Sequence, residues 1–184
     1  ARRLCAAQGL MKIRCELTFN GETRKPYLVS GPSEPDDHLA HRIAAFILFW
    51  NDDPLVDAST KTPALANFEF LPDLLAVDDE GAAKLWIECG TVTMNKLTKI
   101  TRRMPRCRIV IIKESERAAA GLRRDLLDQF DRPERVEILA WPENSYKEWA
   151  KTVGDAIEAC GEADGRSING VVNEQMVVVE FKPY

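Results

Sequence analysis

The sequence lacks the features of a membrane-spanning protein, a disulfide framework or a zinc site. No apolar run in its 184 residues approaches the roughly 18 residues that a membrane-spanning helix needs. Its five cysteines are scattered and none belongs to a C-x-x-C pair, which favours a reducing cytoplasm over secretion. Only two histidines are present, too few for a typical His/Cys zinc site without grouped cysteines.

Two further absences restrict the chemistry. The sequence has no glycine-rich phosphate-binding loop and no G-x-S-x-G nucleophile elbow. Its net charge is −4, so a role with nucleic acid must come from local charge and not from overall basicity. The composition, 45% hydrophobic and 29% charged, is typical of a globular protein, and the length predicts one domain. We expect residues 1–11 to be a leader or a disordered start, and residues 12–184 to form a single α/β domain.

The order of elements predicts a mixed sheet with hairpins at both ends of the chain. Residues 12–19 alternate between apolar and polar, Asn20-Gly21 can form a tight turn, and residues 27–29 can return as a strand. Residues 166–172 and 175–181 predict a closing hairpin. The elements predicted between them are a helix opened by a Ser33/Asp36 capping box, strands at 68–77 and 84–90, a helix over 91–103, a strand at 108–112, a helix over 115–130, a strand at 136–141 and a helix from Ser145 to Cys160.

Two carboxylates interrupt the apolar strands of the central hairpin. Asp73 follows Pro72 in the first strand, and Glu88 lies inside the second. A carboxylate is costly to bury unless it is paired or bound to a cation. Two of them on adjacent antiparallel strands could share a divalent ion such as magnesium or manganese. Alternatively, both are edge carboxylates in salt bridges with nearby arginines.

The segment from Thr91 to Lys113 carries positive charge and no acidic residue. Such a patch can face the phosphates of a nucleic acid, even on a protein of negative net charge. Alternatively, it is a solvated helix face whose charges pair with acids elsewhere in the fold. Its basic residues are Lys96, Lys99, Arg102, Arg103, Arg106, Arg108 and Lys113.

Other polar candidates are weaker. His38 and His41, on the first predicted helix, could assist at a phosphate, but the pattern favours an exposed helix turn. Cys89 and Cys107 lie in or beside apolar strands and are interpreted as small core residues.

Three pieces of sequence together resemble the YaeQ family, which belongs to the PD-(D/E)XK nuclease-like superfamily. They are Pro72-Asp73, the strand Trp86-Ile87-Glu88-Cys89-Gly90 and the lysines of the helix that follows. The resemblance spans residues 12 to about 183 and includes Ser33-Glu34 with Arg42. It implies an α/β fold with a mixed central sheet flanked by helices, a restriction-endonuclease-like core with N- and C-terminal β-hairpins.

The resemblance also implies a function, which is Mg²⁺-dependent (or Mn²⁺-dependent) hydrolysis of nucleic-acid phosphodiester bonds. Asp73, Glu88 and the carbonyl of Cys89 would hold the metal. Gly90 stands where the superfamily has its strand lysine, so the resemblance implies that Lys96 or Lys99 takes over that role. Glu34 could add a carboxylate to the catalytic site. The residues expected to contact DNA or RNA are Arg42, Lys96, Lys99, Arg102 and Arg103.

Two other classes of function stay open. A missing strand lysine is also what a non-catalytic relative would show, so the chain could be a nucleic-acid- or protein-binding module without turnover. It could also be a structural partner that docks its basic helix against an acidic surface. In each case we expect a cytoplasmic protein with no membrane partner.

Overall fold

The structure is a computed structural model that describes residues 12–31 and 34–184. The predicted leader at 1–11 and the predicted cap residue Ser33 lie outside the described residues. The strands and helices, in chain order, are β1 (Lys12–Phe19), β2 (Glu22–Arg24), β3 (Tyr27–Val29), α1 (Asp36–Leu48), β4 (Leu74–Val77), β5 (Ala83–Cys89), α2 (Met94–Arg103), β6 (Arg108–Lys113), α3 (Glu116–Gln129), β7 (Val136–Ala140), α4 (Ser145–Thr152), β8 (Ala156–Ala163), β9 (Ser167–Val172), β10 (Gln175–Glu180) and β11 (Lys182–Pro183).

The mixed α/β fold is confirmed, with its strands divided between two sheets. The first sheet has the order β10-β9-β8-β1-β2, and β3 also pairs with β1. The second has the order β11-β7-β6-β5-β4, in which β5, β6 and β7 are parallel and both edge strands are antiparallel. Helices α2 and α3 make the crossovers between parallel strands, as the alternation of strand and helix predicts.

Both terminal hairpins form as predicted. In β1, every second residue is buried, and the strand returns through Asn20 and Gly21, which have φ values of 50° and 81°. Two consecutive positive φ values are what a tight hairpin turn needs, and asparagine and glycine adopt them at little cost. The closing hairpin turns in the same way at Asn173 and Glu174, with φ values of 47° and 65°.

Helix α1 lies between the two sheets. Its residues from Leu39 to Leu48, apart from Arg42, are buried, and they share one core with the inner faces of both sheets. A second core fills the opposite face of the five-stranded sheet, where Leu97 and Ile100 of α2 pack beside Leu122 and Leu126 of α3. A helix apolar on nearly all sides must be buried, whereas an amphipathic helix covers one face of a sheet. The five-stranded sheet therefore has α1 on one face and α2 on the other.

The fourth helix is shorter than predicted. We expected it to continue to Cys160, but α4 ends at Thr152 and residues Ala156–Ala163 form strand β8. Strand β8 pairs parallel with β1 and antiparallel with β9, so it joins the two hairpins into one sheet. Its buried residues follow a strand's period of two, because they are Ile157, Ala159 and Ala163.

The central hairpin forms between β4 and β5, with a first strand shorter than predicted. Residues 68–73 are irregular, and β4 begins at Leu74, so Asp73 lies immediately before the strand. The acidic turn between the strands is held by Asp78, whose Oδ1 accepts hydrogen bonds from the backbone N–H groups of Glu80 and Ala82. Among the described residues, no helix is long and apolar enough to cross a membrane.

Candidate functional site

Most of the predicted site residues meet where β5 ends. Leu74 pairs with Ile87 in the antiparallel ladder, so Asp73 lies beside the last residues of β5. The start of α1 approaches this strand end from one face of the sheet, and the start of α2 approaches it from the other. Glu34, Asp73, Glu88, Cys89 and Lys96 all lie here, as do His38, Arg42 and Lys113.

Asp73 is held by partners on two elements, β5 and α1. Its backbone N–H donates to the carbonyl of Ile87 (3.1 Å), and its Oδ2 accepts from the N–H of Cys89 (2.7 Å). From α1, His38 Nε2 lies 3.4 Å and Arg42 Nε 4.0 Å from its Oδ1. Burial acts to raise the pKa of Asp73, but the hydrogen bond and positive charge of His38 outweigh it and hold the pKa below its usual value. Asp73 is therefore ionised at neutral pH.

Glu88 lies in a less polar environment. Its side chain is 6% exposed, and its Oε1 is 2.6 Å from both Lys96 Nζ and the indole Nε1 of Trp86. Burial raises the pKa of Glu88 to about 7, with the positive charge of Lys96 acting against the shift and the negative charge of Asp73 adding to it. Added positive charge would favour the ionised form.

Glu34, predicted as a further carboxylate of the site, is paired within its own segment. It accepts hydrogen bonds from the backbone N–H of Gly31 (2.7 Å), from His38 Nδ1 (2.7 Å) and from Arg42 Nη1 (3.3 Å). Burial acts to raise its pKa, but these partners outweigh burial and lower the pKa to about 2. Arg42, predicted to contact nucleic acid, has 14% of its side chain exposed and also donates to the carbonyl of Val56. The guanidinium of Arg42 is thus paired with two carboxylates of the site, Glu34 and Asp73.

The interpretation of the two histidines as an exposed helix turn is wrong. His38 bridges Glu34 and Asp73, and hydrogen bonds to both carboxylates raise its pKa to about 10, so it is a cation at neutral pH. His41 is 1% exposed and packs against the rings of Trp141 and Tyr146. Burial lowers the pKa of His41 to about 3, which keeps it neutral. Helical spacing alone did not predict that His38 lies on the face of α1 that contacts Asp73.

The two predicted lysines differ in position. Lys96, whose backbone is held by the Thr93 cap at the start of α2, places Nζ 2.6 Å from Glu88 Oε1 and 3.0 Å from the carbonyl of Leu71. Lys99, one turn further along α2, instead pairs with Glu69 at 2.5 Å, and 42% of its side chain is exposed. Lys96 therefore contacts the carboxylate pair and Lys99 does not.

The rest of the basic segment divides between paired and exposed charges. Arg108 forms two hydrogen bonds with the carboxylate of Glu137. Lys113, at the end of β6, is 9% exposed and donates to the carbonyl of Gly90 (2.7 Å). Sequence reasoning missed Lys113 as a site residue, although a lysine that ends an apolar strand was a usable signal. The exposed residues without an ion pair in the described parts of the chain are Arg102, Arg103 and Arg106.

The donor set suits a hard divalent cation. Magnesium is usually bound through one or two carboxylates and keeps several waters, so two carboxylates and one carbonyl suffice. The contacts of Glu88 with Trp86 and Lys96 both use Oε1, and Oε2 takes part in neither. The carbonyl of Cys89 already accepts from His38 Nε2 (3.2 Å), but a carbonyl oxygen has a second lone pair. Within residues 12–31 and 34–184, no cluster of three or more His, Cys, Asp or Glu side chains is arranged to hold a metal ion.

Comparison with known proteins establishes the family. The sequence model of the family described as YaeQ protein matches residues 22–176. The chain belongs to the YaeQ family. None of the curated protein sequences compared with the chain matches it.

Solved YaeQ structures show the same fold. The YaeQ protein from Xanthomonas axonopodis pv. citri matches with a TM-score of 0.74 at 19% identity, covering 95% of this chain and 97% of that chain. The YaeQ protein from Pseudomonas syringae matches with a TM-score of 0.70 at 17% identity, covering 95% and 94%. The sequence resemblance to the YaeQ family is thereby confirmed.

Proposed function

We propose that this member of the YaeQ family is a Mg²⁺- or Mn²⁺-dependent phosphodiesterase that acts on DNA or RNA. The observation that carries the proposal is a pair of carboxylates at one strand end, of which Glu88 is buried and Asp73 is 17% exposed. Asp73 hydrogen bonds to the residues on both sides of Glu88, and its negative charge helps to raise the pKa of Glu88. Two carboxylates that repel each other in a buried position are stabilised by a shared cation.

In this proposal Asp73, Glu88 and the carbonyl of Cys89 hold the cation. The bound metal would lower the pKa of a water molecule and neutralise the charge of the phosphate. Lys96 lies against Glu88, where its ammonium orients the attacking water and compensates for charge that develops in the transition state. His38 and Arg42 fix Asp73 in its ionised form, the form that binds metal.

A second candidate function is a binding module without turnover. The observation that favours it is that the site already contains its own cations. His38 reaches both Asp73 and the Cys89 carbonyl, and Lys96 pairs with Glu88, so each expected metal ligand has a positive partner. Such a network is electrostatically complete without metal.

Metal binding separates the two candidates. Titration of the full chain with Mn²⁺, followed by calorimetry, should give one site in the wild type and no measurable site in Asp73→Asn. The Mn²⁺-loaded wild type should then cleave DNA or RNA. The matched control is Asp79→Asn, a carboxylate in the exposed turn of the same hairpin. A wild type that binds nucleic acid but neither binds Mn²⁺ nor cleaves would refute the enzyme and support the binding module.

The exposed end of α2 supports the choice of nucleic acid as partner. Arg102 and Arg103 lie in its last turn and have no acidic partner among the described residues. We expect the double substitution Arg102→Glu/Arg103→Glu to weaken retention of nucleic acid and to reduce the salt slope of binding by roughly one per lost phosphate contact. Binding that does not depend on salt would contradict this part of the proposal. We also propose a cytoplasmic location, which the free thiols of Cys15, Cys89, Cys107 and Cys160 support.

A further inference from the structure

Lys113 differs from the other cations of the site in having no carboxylate partner in the part of the chain that the structure describes. It ends β6, is 9% exposed, and its Nζ donates to the carbonyl oxygen of Gly90 at 2.7 Å. Within residues 12–31 and 34–184, no Asp or Glu oxygen lies within ion-pair distance of it. An ammonium has three donors, so two remain for other acceptors. A buried ammonium of this kind is costly unless an anion is available to it.

Among the described residues of the site, the ion-paired charges balance and Lys113 adds one positive charge. The three carboxylates of the site are matched by three cations, since His38 and Arg42 serve Glu34 and Asp73 while Lys96 serves Glu88. Lys113 is additional to these pairs. A bound divalent cation would increase the surplus further. The site is thus suited to receive a negatively charged ligand as well as a metal.

The register of the sheet places Lys113 beside the candidate metal ligands. In the parallel ladder Ile111 pairs with Glu88 and Ile112 with Cys89, so Lys113 follows beside Gly90. Side chains alternate along a strand, which places Lys113 on the same face of the sheet as Ile111 and Glu88. The ammonium therefore lies at the end of β5, bonded to the carbonyl of Gly90, the residue after Cys89.

We propose that Lys113 is an additional phosphate-binding residue of this site, whose ammonium contacts a non-bridging oxygen of the phosphate group of the ligand. The proposal rests on the proposed phosphodiesterase function and deepens it by assigning the phosphate contact to β6. It assigns different roles to Lys96 and Lys113. Lys96 acts beside Glu88 and the attacking water, whereas Lys113 binds and orients the phosphate.

The test uses inorganic phosphate first, without metal, and then bis(p-nitrophenyl) phosphate with Mn²⁺. Lys113→Met should weaken phosphate binding about tenfold, as loss of one charge-assisted hydrogen bond predicts. Lys113→Arg keeps the charge and should bind within about threefold of the wild type. The control is Lys84→Met, which removes an exposed lysine at the other end of β5 and should change nothing. Calorimetry should show that Lys113→Met binds Mn²⁺ as tightly as the wild type or more tightly, because a repelling charge is removed.

Each outcome decides between roles. If Lys113→Met binds phosphate as the wild type does, the proposal is overturned. If Lys113→Arg loses both phosphate and Mn²⁺ affinity, Lys113 only supports the Gly90 peptide, and the proposal is again overturned. That arm remains informative even if Lys113→Met does not fold. If the wild type hydrolyses no diester but Lys113→Met still loses phosphate affinity, the phosphodiesterase function fails and the phosphate contact stands.

Discussion

Asp73 and Glu88 lie at the same strand end, yet their surroundings affect their charge in opposite ways. Asp73 faces α1, where His38, Arg42 and a backbone N–H keep its pKa below the usual value. Glu88 faces α2, where burial raises its pKa to about 7 although Lys96 is 2.6 Å away. Burial affects both carboxylates, so the difference comes from the number and kind of partners. The Lys96 ammonium and the Trp86 indole N–H do not offset the desolvation of Glu88 and the negative charge of Asp73, whereas an imidazolium, a guanidinium and an amide offset the desolvation of Asp73.

This comparison assigns different tasks to the two carboxylates. Asp73 is ionised and held in position by its contacts with His38 and Arg42. Glu88 titrates near neutral pH, so its charge state responds to whatever cation arrives. A metal bound between them would draw most of its pH dependence from Glu88, and its affinity should rise with pH up to about 7 and then level off.

The largest expected effect tests the Glu88 side of the comparison. Lys96→Met should reduce Mn²⁺-dependent cleavage by about two to three orders of magnitude, because a preorganised charge beside the reacting groups is lost. Lys99→Met is the matched control. Lys99 lies on the same face of α2 as Lys96 but contacts Glu69, so its substitution should leave the rate nearly unchanged. Steady-state cleavage assays compare the two, with Mn²⁺ affinity measured in parallel. Equal losses in both variants would contradict the distinction between the lysines.

A pair of near-isosteric substitutions tests the two carboxylates directly. Asp73→Asn should lower the free energy of unfolding by about 3 kcal/mol, because the charge-assisted contacts of His38 and Arg42 with Asp73 are lost and Glu34 remains as their carboxylate partner. Glu88→Gln at pH 6 should cost less than about 1 kcal/mol, because Glu88 is already mostly protonated there. Urea denaturation at pH 6 measures both. A larger loss for Glu88→Gln would reverse the comparison.

The smallest of the three effects concerns the imidazolium that stabilises Asp73. The pKa of His38 is raised from 6.5 to about 10, so its contribution to stability is complete below pH 6.5 and is lost as the pH rises through about 10. Over that interval the stability advantage of the wild type over His38→Gln should shrink by about 2 kcal/mol, less than half of what the full shift would give, because solvent screens the partly exposed imidazolium. Urea midpoints at pH 6, 8 and 10 follow the change, and the difference between the two proteins cancels titrations that they share. A constant difference would mean that His38 is neutral in the folded protein.

The elements that sequence predicted best are those whose pattern has only one interpretation. The alternation of β1 and the positive-φ residues at Asn20 and Gly21 left little choice of structure. Residues 156–163 were misread because alanine, isoleucine and glutamate there fit a helix as well as a strand. The break at Gly154 and Asp155 was the available signal, and the pairing partners of β8 lie far away in the chain.

The site could be predicted in part for a related reason. Asp73 and Glu88 stood out because a carboxylate in an apolar strand needs an explanation that lies within the sequence. His38 and Lys113 did not, because their importance depends on contacts across the fold, to Asp73 and to Gly90. Helical spacing also could not separate Lys96 from Lys99, since residues three apart share a face. Only the position of the loop before β4, which supplies Leu71 and Glu69, separates them.

The peptide between Cys89 and Gly90 has a consequence for how the molecule unfolds. The backbone N–H and C=O groups of Cys89 and Gly90 are all bonded, and their four partners lie on three segments: Asp73 before β4, His38 on α1, and Ile112 and Lys113 on β6. Local opening at this position would break contacts with three elements at once, so the site opens only when the sheet itself opens. Occupancy and folding are then linked quantities, and a ligand at one hundred times its dissociation constant would add about 2.7 kcal/mol to the stability of the whole domain. Thermal melting of the chain therefore screens for its ligand without any assay of turnover.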